Sequence, residues 1–286
     1  MKRLGPTLLL LAAAAIPASA QDPRPETIEG YIVTAEIQAI APEIRSSAKA
    51  APEAQALTGA LRTVAKLTSR FTLASDISRQ EIVSGDFIVP AGTLALHKAG
   101  DRFYVLADPN AKTYVIMDAA DLITALEGGA GIVNTAYDAK VVHTDERKTI
   151  LGFPAKKSLV TVSYASSIPF ENTHMLVQQQ NEIEIWHTAH LVSGAALDHL
   201  FFKFQQDRTG TVRKAVAADI GFPLEVRFVI SQKGAKKGAP PQPGSFHMLV
   251  SEVKLEKKLE TSLFNVPPKG YRRLERNPYF AGALAK

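Results

Sequence analysis

GFPLEVRFVIS, Gly221 to Ser231, alternates without a break: Leu224, Val226, Phe228 and Ile230 fall on one side, Glu225 and Arg227 on the other. Successive side chains of a strand leave opposite faces, so this stretch is a strand with one buried and one wetter side. The same parity runs through the stretches around it. In NEIEIWHTAHL, Ile183, Ile185 and His187 share a face opposite Glu182, Glu184 and Trp186. Val160, Val162 and Tyr164 repeat it upstream. Downstream, Phe246 to Leu259 continues it with a change of parity between Val250 and Val253, which predicts a bulge or bend. The connection KGAKKGAPPQPG, Lys233 to Gly244, is too rich in Gly and Pro to be regular and joins two neighbouring strands as a long hairpin loop.

Towards the N-terminus the period of two persists. Arg102 to Ala107 and Thr113 to Met117 flank DPNAK, whose Asp108, Pro109 and Asn110 are turn formers, so this is a hairpin. Leu94 and Leu96 alternate with Thr93, Ala95 and His97. Arg62 to Arg79 reads as one long strand or a bent pair, and Gly30 to Gln38 as a first strand. Between them, Ile40 to Thr58 is an Ala- and Pro-rich insert with at most one helical turn.

Two segments change to the helical period. In DAADLITALEGG, Asp118 is a candidate N-cap, Gly128 suits the C-terminal stop, and Ala119, Leu122, Ile123 and Leu126 form one apolar stripe. In SGAALDHLFFKFQQDR, Ser193 caps and Leu197, Leu200, Phe201 and Phe204 repeat the spacing. Each would hide one face only and so would need a sheet to lie on. The expectation is an α+β fold: a curved antiparallel sheet with two or more helices packed across its concave face. One domain is expected over 21–276, with residues 21–60 as its N-terminal strand and insert, 61–276 as its main body, and 277–286 as a flexible tail.

The first twenty of the 286 residues, MKRLGPTLLLLAAAAIPASA, carry a basic start, an apolar run and a closing Ala-Ser-Ala. That is the pattern of a secretory signal peptide cut near Ala20. A periplasmic or secreted location follows as an expectation, and no later run is long and apolar enough for a transmembrane helix. Without a cysteine the chain has no disulfide and no thiol nucleophile. Taking Lys2 and Arg3 from the formal charge of +5 leaves +3, concentrated at Lys233, Lys236 and Lys237 and at Arg272, Arg273 and Arg276. Neither group has interleaved aromatics, which argues against a nucleic-acid partner and leaves solvated patches or anionic headgroup contacts.

Catalytic signatures are sparse. The nucleophile-elbow, zinc-protease, phosphate-loop and dinucleotide patterns are absent. His187 and His190 stand three apart, but no carboxylate or cysteine joins them, so no metal is assigned; His199 would need the fold to approach. Asp145 and Glu146 sit in HTDERKT, a charged turn, and adjacent acids diverge on a strand. Trp186, the single tryptophan, packs on a neighbouring strand, stacks on a ligand or anchors at a membrane surface, the first being the favoured reading. The reading is a protein that is not an enzyme and needs no cofactor.

Four elements occur in a recognisable order: ILGFPAKKSLVTV (Ile150 to Val162), NEIEIWHTAHL (Asn181 to Leu191), GFPLEVRFVIS (Gly221 to Ser231) and SLFNVPPKGYRRL (Ser262 to Leu274). Together they resemble an exported bacterial family of unknown function, similar to the lipoprotein-localisation factors of the LolA and LolB type. The resemblance implies a half-open barrel whose understood relatives carry acyl chains in the hollow. It would place a lipid or other apolar small molecule between sheet and helices, against a wall of Ile183, Ile185, His187, Leu197, Phe201 and Phe204. The alternative is a cell-envelope interaction or sensing module, with an envelope protein as partner and a filled core. The last element reads as a structural ending, with Leu263 and Phe264 plugging the core and Tyr271 laid back over it.

Overall fold

A computed structural model describes residues 27–40, 66–74, 76–85, 90–119, 133–170, 173–191, 196, 198, 204, 207, 209–234, 245–275 and 278. In chain order the elements are β1 (Thr27–Ala39), β2 (Lys66–Ala74), β3 (Ile77–Ser84), β4 (Leu94–Lys98), β5 (Phe103–Asp108), β6 (Thr113–Asp118), β7 (Val133–Ile150), β8 (Phe153–Phe170) and β9 (Thr173–Thr188). There follow α1 (Thr211–Ala217), β10 (Phe222–Gln232), β11 (Phe246–Glu260), a 3-10 turn at Thr261–Phe264, and β12 (Arg272–Arg273). The strands form one twelve-stranded sheet in the order β12-β6-β5-β4-β3-β2-β1-β11-β10-β9-β8-β7. Every pairing is antiparallel except the short β12–β6 contact, and the sheet is not closed into a barrel.

This corrects the α+β expectation. Of the described residues 69% are strand and 8% helical, and they contain a single α-helix, the seven-residue α1, where two or more packed helices were expected. The predicted helices at 118–129 and 193–208 lie outside the described residues except for Asp118, which ends β6, and Ala119, Ala196, Asp198, Phe204 and Asp207. The strand content was underestimated chiefly in β7, β8 and β9. In β7 two bulges reset the alternation, and in β8 and β9 serine- and glutamine-rich stretches alternate too weakly to announce strands of 18 and 16 residues.

Elsewhere the parity holds. Cross-strand partners share a face, and the register sets Val226 beside Ile185 and Met248, and Phe228 beside Ile183 and Phe246. The inner face so formed carries the main core, from Val33 and Phe71 through Val226 and Ile185 to Val160. Val212 and Val216 of α1 add to it, one turn apart on the same helix face. Arg62–Arg79 resolves into the bent pair, as β2 and β3. The parity change in β11 is a bulge: Thr34 faces Glu252 and Ala35 faces Val250, leaving Ser251 as the extra residue.

The C-terminal segment crosses the sheet's other side. Phe264 is buried with Ala74 and Leu259, and Leu263 packs beside them. Tyr271 then lies on a separate apolar patch of Leu94, Leu96, Val105 and Ala107, the side of β4–β5 away from the main core. The ending is therefore a strap over the outer face, and the strands beneath it are covered on both sides.

Candidate functional site

The inner-face residues proposed as a cavity wall pack against one another. Ile183 and Ile185 of β9 are 1% and 0% exposed, and Phe204 is buried with them. Phe204 meets Tyr137 and Tyr164 edge-on, at 6.5 and 6.3 Å between ring centres, and Phe228 at 6.0 Å. Leu197 and Phe201 lie outside the described residues. Amid this apolar surface stands Asn181, paired laterally with Val162 and Ile230 and wholly buried. Neither its amide nitrogen nor its carbonyl oxygen has a hydrogen-bond partner among the described residues. A buried amide left so costs about 1–3 kcal/mol.

His187, also placed on that face, terminates a polar chain rather than a metal site. Its Nδ1 accepts the Gly221 N–H at 2.8 Å. Gly221 can come this close because a side chain there would meet the Thr188 carbonyl oxygen at 2.3 Å. Burial, reinforced by the charges of Lys156, His143 and Arg147, lowers the His187 pKa to about 4, so the ring is neutral. Its one proton then sits on Nε2 and is donated to Ser158 Oγ at 2.8 Å. Ser158 Oγ in turn lies 2.9 Å from His143 Nδ1. The far nitrogen of His143 lies 3.9 Å from Asp219. The order Ser–His–Asp resembles that of a hydrolase, but the Ser158 hydroxyl is wholly buried and no substrate carbon can reach it. The chain instead ties β7, β8 and β9 to the residue that opens β10. His190 is exposed in the bend after β9, and His199 lies outside the described residues. Among the described residues no cluster of three or more His, Asp or Glu is placed to hold a metal ion.

A second polar group was not foreseen. Asp198, 4% exposed, accepts from the Gly100 N–H at 2.7 Å and lies 3.3 Å from His97 Nε2, while Arg213 Nε of α1 donates to it at 3.0 Å. Burial would raise this carboxyl, but the bonds from His97 and Gly100 and the Arg213 charge outweigh it and hold it below the ordinary carboxylate range. His97 stacks on Tyr104 at 4.1 Å. The group joins β4 and α1, with its carboxylate buried. Asp198 stands 101 residues from His97 in sequence, so no local motif could announce the pair.

The opposite face carries a concavity of about 460 Å³ lined by Ile40, Glu184, Trp186, Glu225, Arg227 and His247. Trp186 points here, with Lys148 Nζ 4.2 Å from its ring centre. Lys148 also pairs with Glu225, and His247 reaches the same carboxylate at 3.2 Å. Burial tends to raise Glu225, and the hydrogen bonds from Lys148 and His247 overcome it to leave the carboxyl lowered. Asp145 and Glu146 are not in a turn: they lie within β7, and Glu146 pairs with Lys157 at 3.1 Å.

The remaining feature is the far end of the β8–β9 hairpin. The last β7 pairing is Val133 with Ser167, and the last β10 pairing is Gln232 with Gln179. Among the described residues, 168–170 and 173–177 thus continue as two strands alone. At about 3.3 Å per residue they run about 10 Å past β7 and about 16 Å past β10. Leu176 is 67% exposed, Val133 55% and Met175 48%. From Ser163 to Asn181 the only carboxylate in the sequence is Glu171, and there is no Lys or Arg. That uncharged tract was the available signal. No helix among the described residues is long and apolar enough to cross a membrane.

No protein-family model matches the chain, and no curated protein matches its sequence.

Proposed function

We propose that the protein is an exported, non-enzymatic interaction module of the cell envelope, in which a filled sheet carries contact surfaces on its outside. The observation that carries this reading is the packing of Ile183, Ile185 and Phe204, the intended cavity wall, into the main core. Supporting it, Ser158, His187 and Asp198 are buried, whereas Leu176 and Met175 near the end of the β8–β9 hairpin are exposed. The signal-like first twenty residues and the resemblance to exported bacterial proteins support a periplasmic or secreted location.

A second reading, a lipid or apolar molecule held at the inner face, is favoured by Asn181, whose buried amide lacks a partner. Native mass spectrometry of gently purified protein separates the two. The first reading expects the bare polypeptide mass and no uptake of a lipophilic dye. A co-purified lipid that leaves only on denaturation would overturn it in favour of the second.

A further inference from the structure

We propose that the projecting end of the β8–β9 hairpin docks the protein on an anionic lipid surface; this specifies the contact in the interaction-module reading and rests on it. Val133, Ser167 and Leu176 are successive cross-strand partners and share the outer face of the hairpin. Met175 pairs with Ile168 and projects from the inner face. Large apolar side chains are therefore exposed on both sides of a two-stranded ribbon. A bilayer's headgroup and acyl boundary surrounds such a ribbon and covers both of its faces at once.

The dimensions limit the depth. A ribbon free for about 10–16 Å suits the roughly 5–10 Å to which interfacial elements enter the headgroup and acyl boundary. The ribbon's unpaired backbone edges remain at headgroup level, where water and polar lipid groups still satisfy them, which full insertion would forbid. The preference for anionic lipid comes from the adjoining chain. Lys233 is exposed, and its backbone N–H donates to Gln178 of β9 at 3.1 Å, so a cation stands at the base of the ribbon. Each such lysine contributes roughly a fivefold attraction to an anionic leaflet.

The test is flotation of the protein, purified after export of the full chain, with phosphatidylcholine vesicles containing or lacking phosphatidylglycerol. Co-flotation is expected with the anionic vesicles at low salt and should weaken as salt is raised. Leu176→Asp and Met175→Asp should each reduce it more than about tenfold. Lys233→Gln should reduce it about fivefold, and Leu249→Asp, at an exposed outer-face position of β11, should leave it intact. Thermal melts by circular dichroism verify folding. Should the aspartate variants unfold, the cysteine-free chain permits single labels: a polarity-sensitive dye at Leu176→Cys should shift to the blue on vesicles, and one at Leu249→Cys should not. Absence of flotation by the unaltered protein overturns the proposal, as does equal flotation of Leu176→Asp or equal dye shifts at both sites. So does a vesicle-independent dimer that Leu176→Asp returns to monomer, which would assign the ribbon to a second copy. No flotation together with a bare native mass removes the lipid surface and leaves the module reading standing; no flotation with a co-purified lipid removes both.

Discussion

Asn181 and His187 lie on the same strand and the same face, yet burial acts on them in opposite senses. The imidazole has both nitrogens occupied and is held neutral; the amide is buried with neither polar atom paired. An unpaired buried amide is a net cost, so replacing it by an apolar group of similar size should stabilise. Asn181→Leu is expected to raise stability by about 1–3 kcal/mol, seen as a higher urea midpoint at unchanged slope. A lower midpoint would mean that the amide has a partner it needs. For His187 the sign follows from linkage. Its folded pKa, about 4, lies below the ordinary value of 6.5, so between these limits the unfolded chain binds the extra proton. Stability is complete above about pH 6.5 and falls as pH drops towards 4, by at most about 1.4 kcal/mol per pH unit. His187→Gln keeps an acceptor for the Gly221 N–H and should flatten that acid limb in urea titrations at several pH values. An unchanged slope would show that another group sets it.

Among the elements, β7 has the hardest position, with one long edge unpaired. Natural sheets blunt such edges with bulges and charge, and β7 uses both. Residues 136 and 137 face Tyr164 alone, with Ala136 at a φ of 54°, and residues 144–146 face Lys157 alone. Arg147 donates to the carbonyl oxygens of Thr144 and Glu146 at 2.8 and 2.9 Å, closing the second bulge. Deleting Asp145 and Glu146 should straighten the edge and give concentration-dependent dimers or aggregates on size exclusion; a variant that stays monomeric would show that the bulge is not protective. Sequence reading recovers elements where parity is strong. The strand at Gly221 to Ser231, the hairpin around DPNAK and the bulge near Val250 are all found in the sheet. It fails at β7, where two bulges reset the alternation, and at the far ends of β8 and β9, where serine and glutamine blur it. The seven-residue α1 escapes for a different reason: two valines four apart are too little pattern to raise a helix above its surroundings. Of the candidate site, His187, Ile183 and Ile185 were placed on the correct face by parity alone, whereas Ser158, His143 and Asp198 depend on partners that only the fold supplies.

At the scale of the molecule, the first strand and the last long strand meet in the middle of the sheet. β1 pairs with β11 over nearly its whole length, so the N-terminal strands and the C-terminal strands form one continuous layer. A scaffold so joined, with its inner face packed, has its available surface at the periphery, and the projecting β8–β9 hairpin carries Leu176, the most exposed large apolar side chain among the described residues. Hydrogen–deuterium exchange, read segment by segment with and without phosphatidylglycerol vesicles, tests this most directly. The account predicts slow exchange across β9, β10, β11 and β1 in both conditions, with protection gained on vesicles only around residues 168–178. Protection gained instead along Asn181 to Ile185 and Val226 to Ile230, with the hairpin end unchanged, would contradict it and place the binding event inside the sheet.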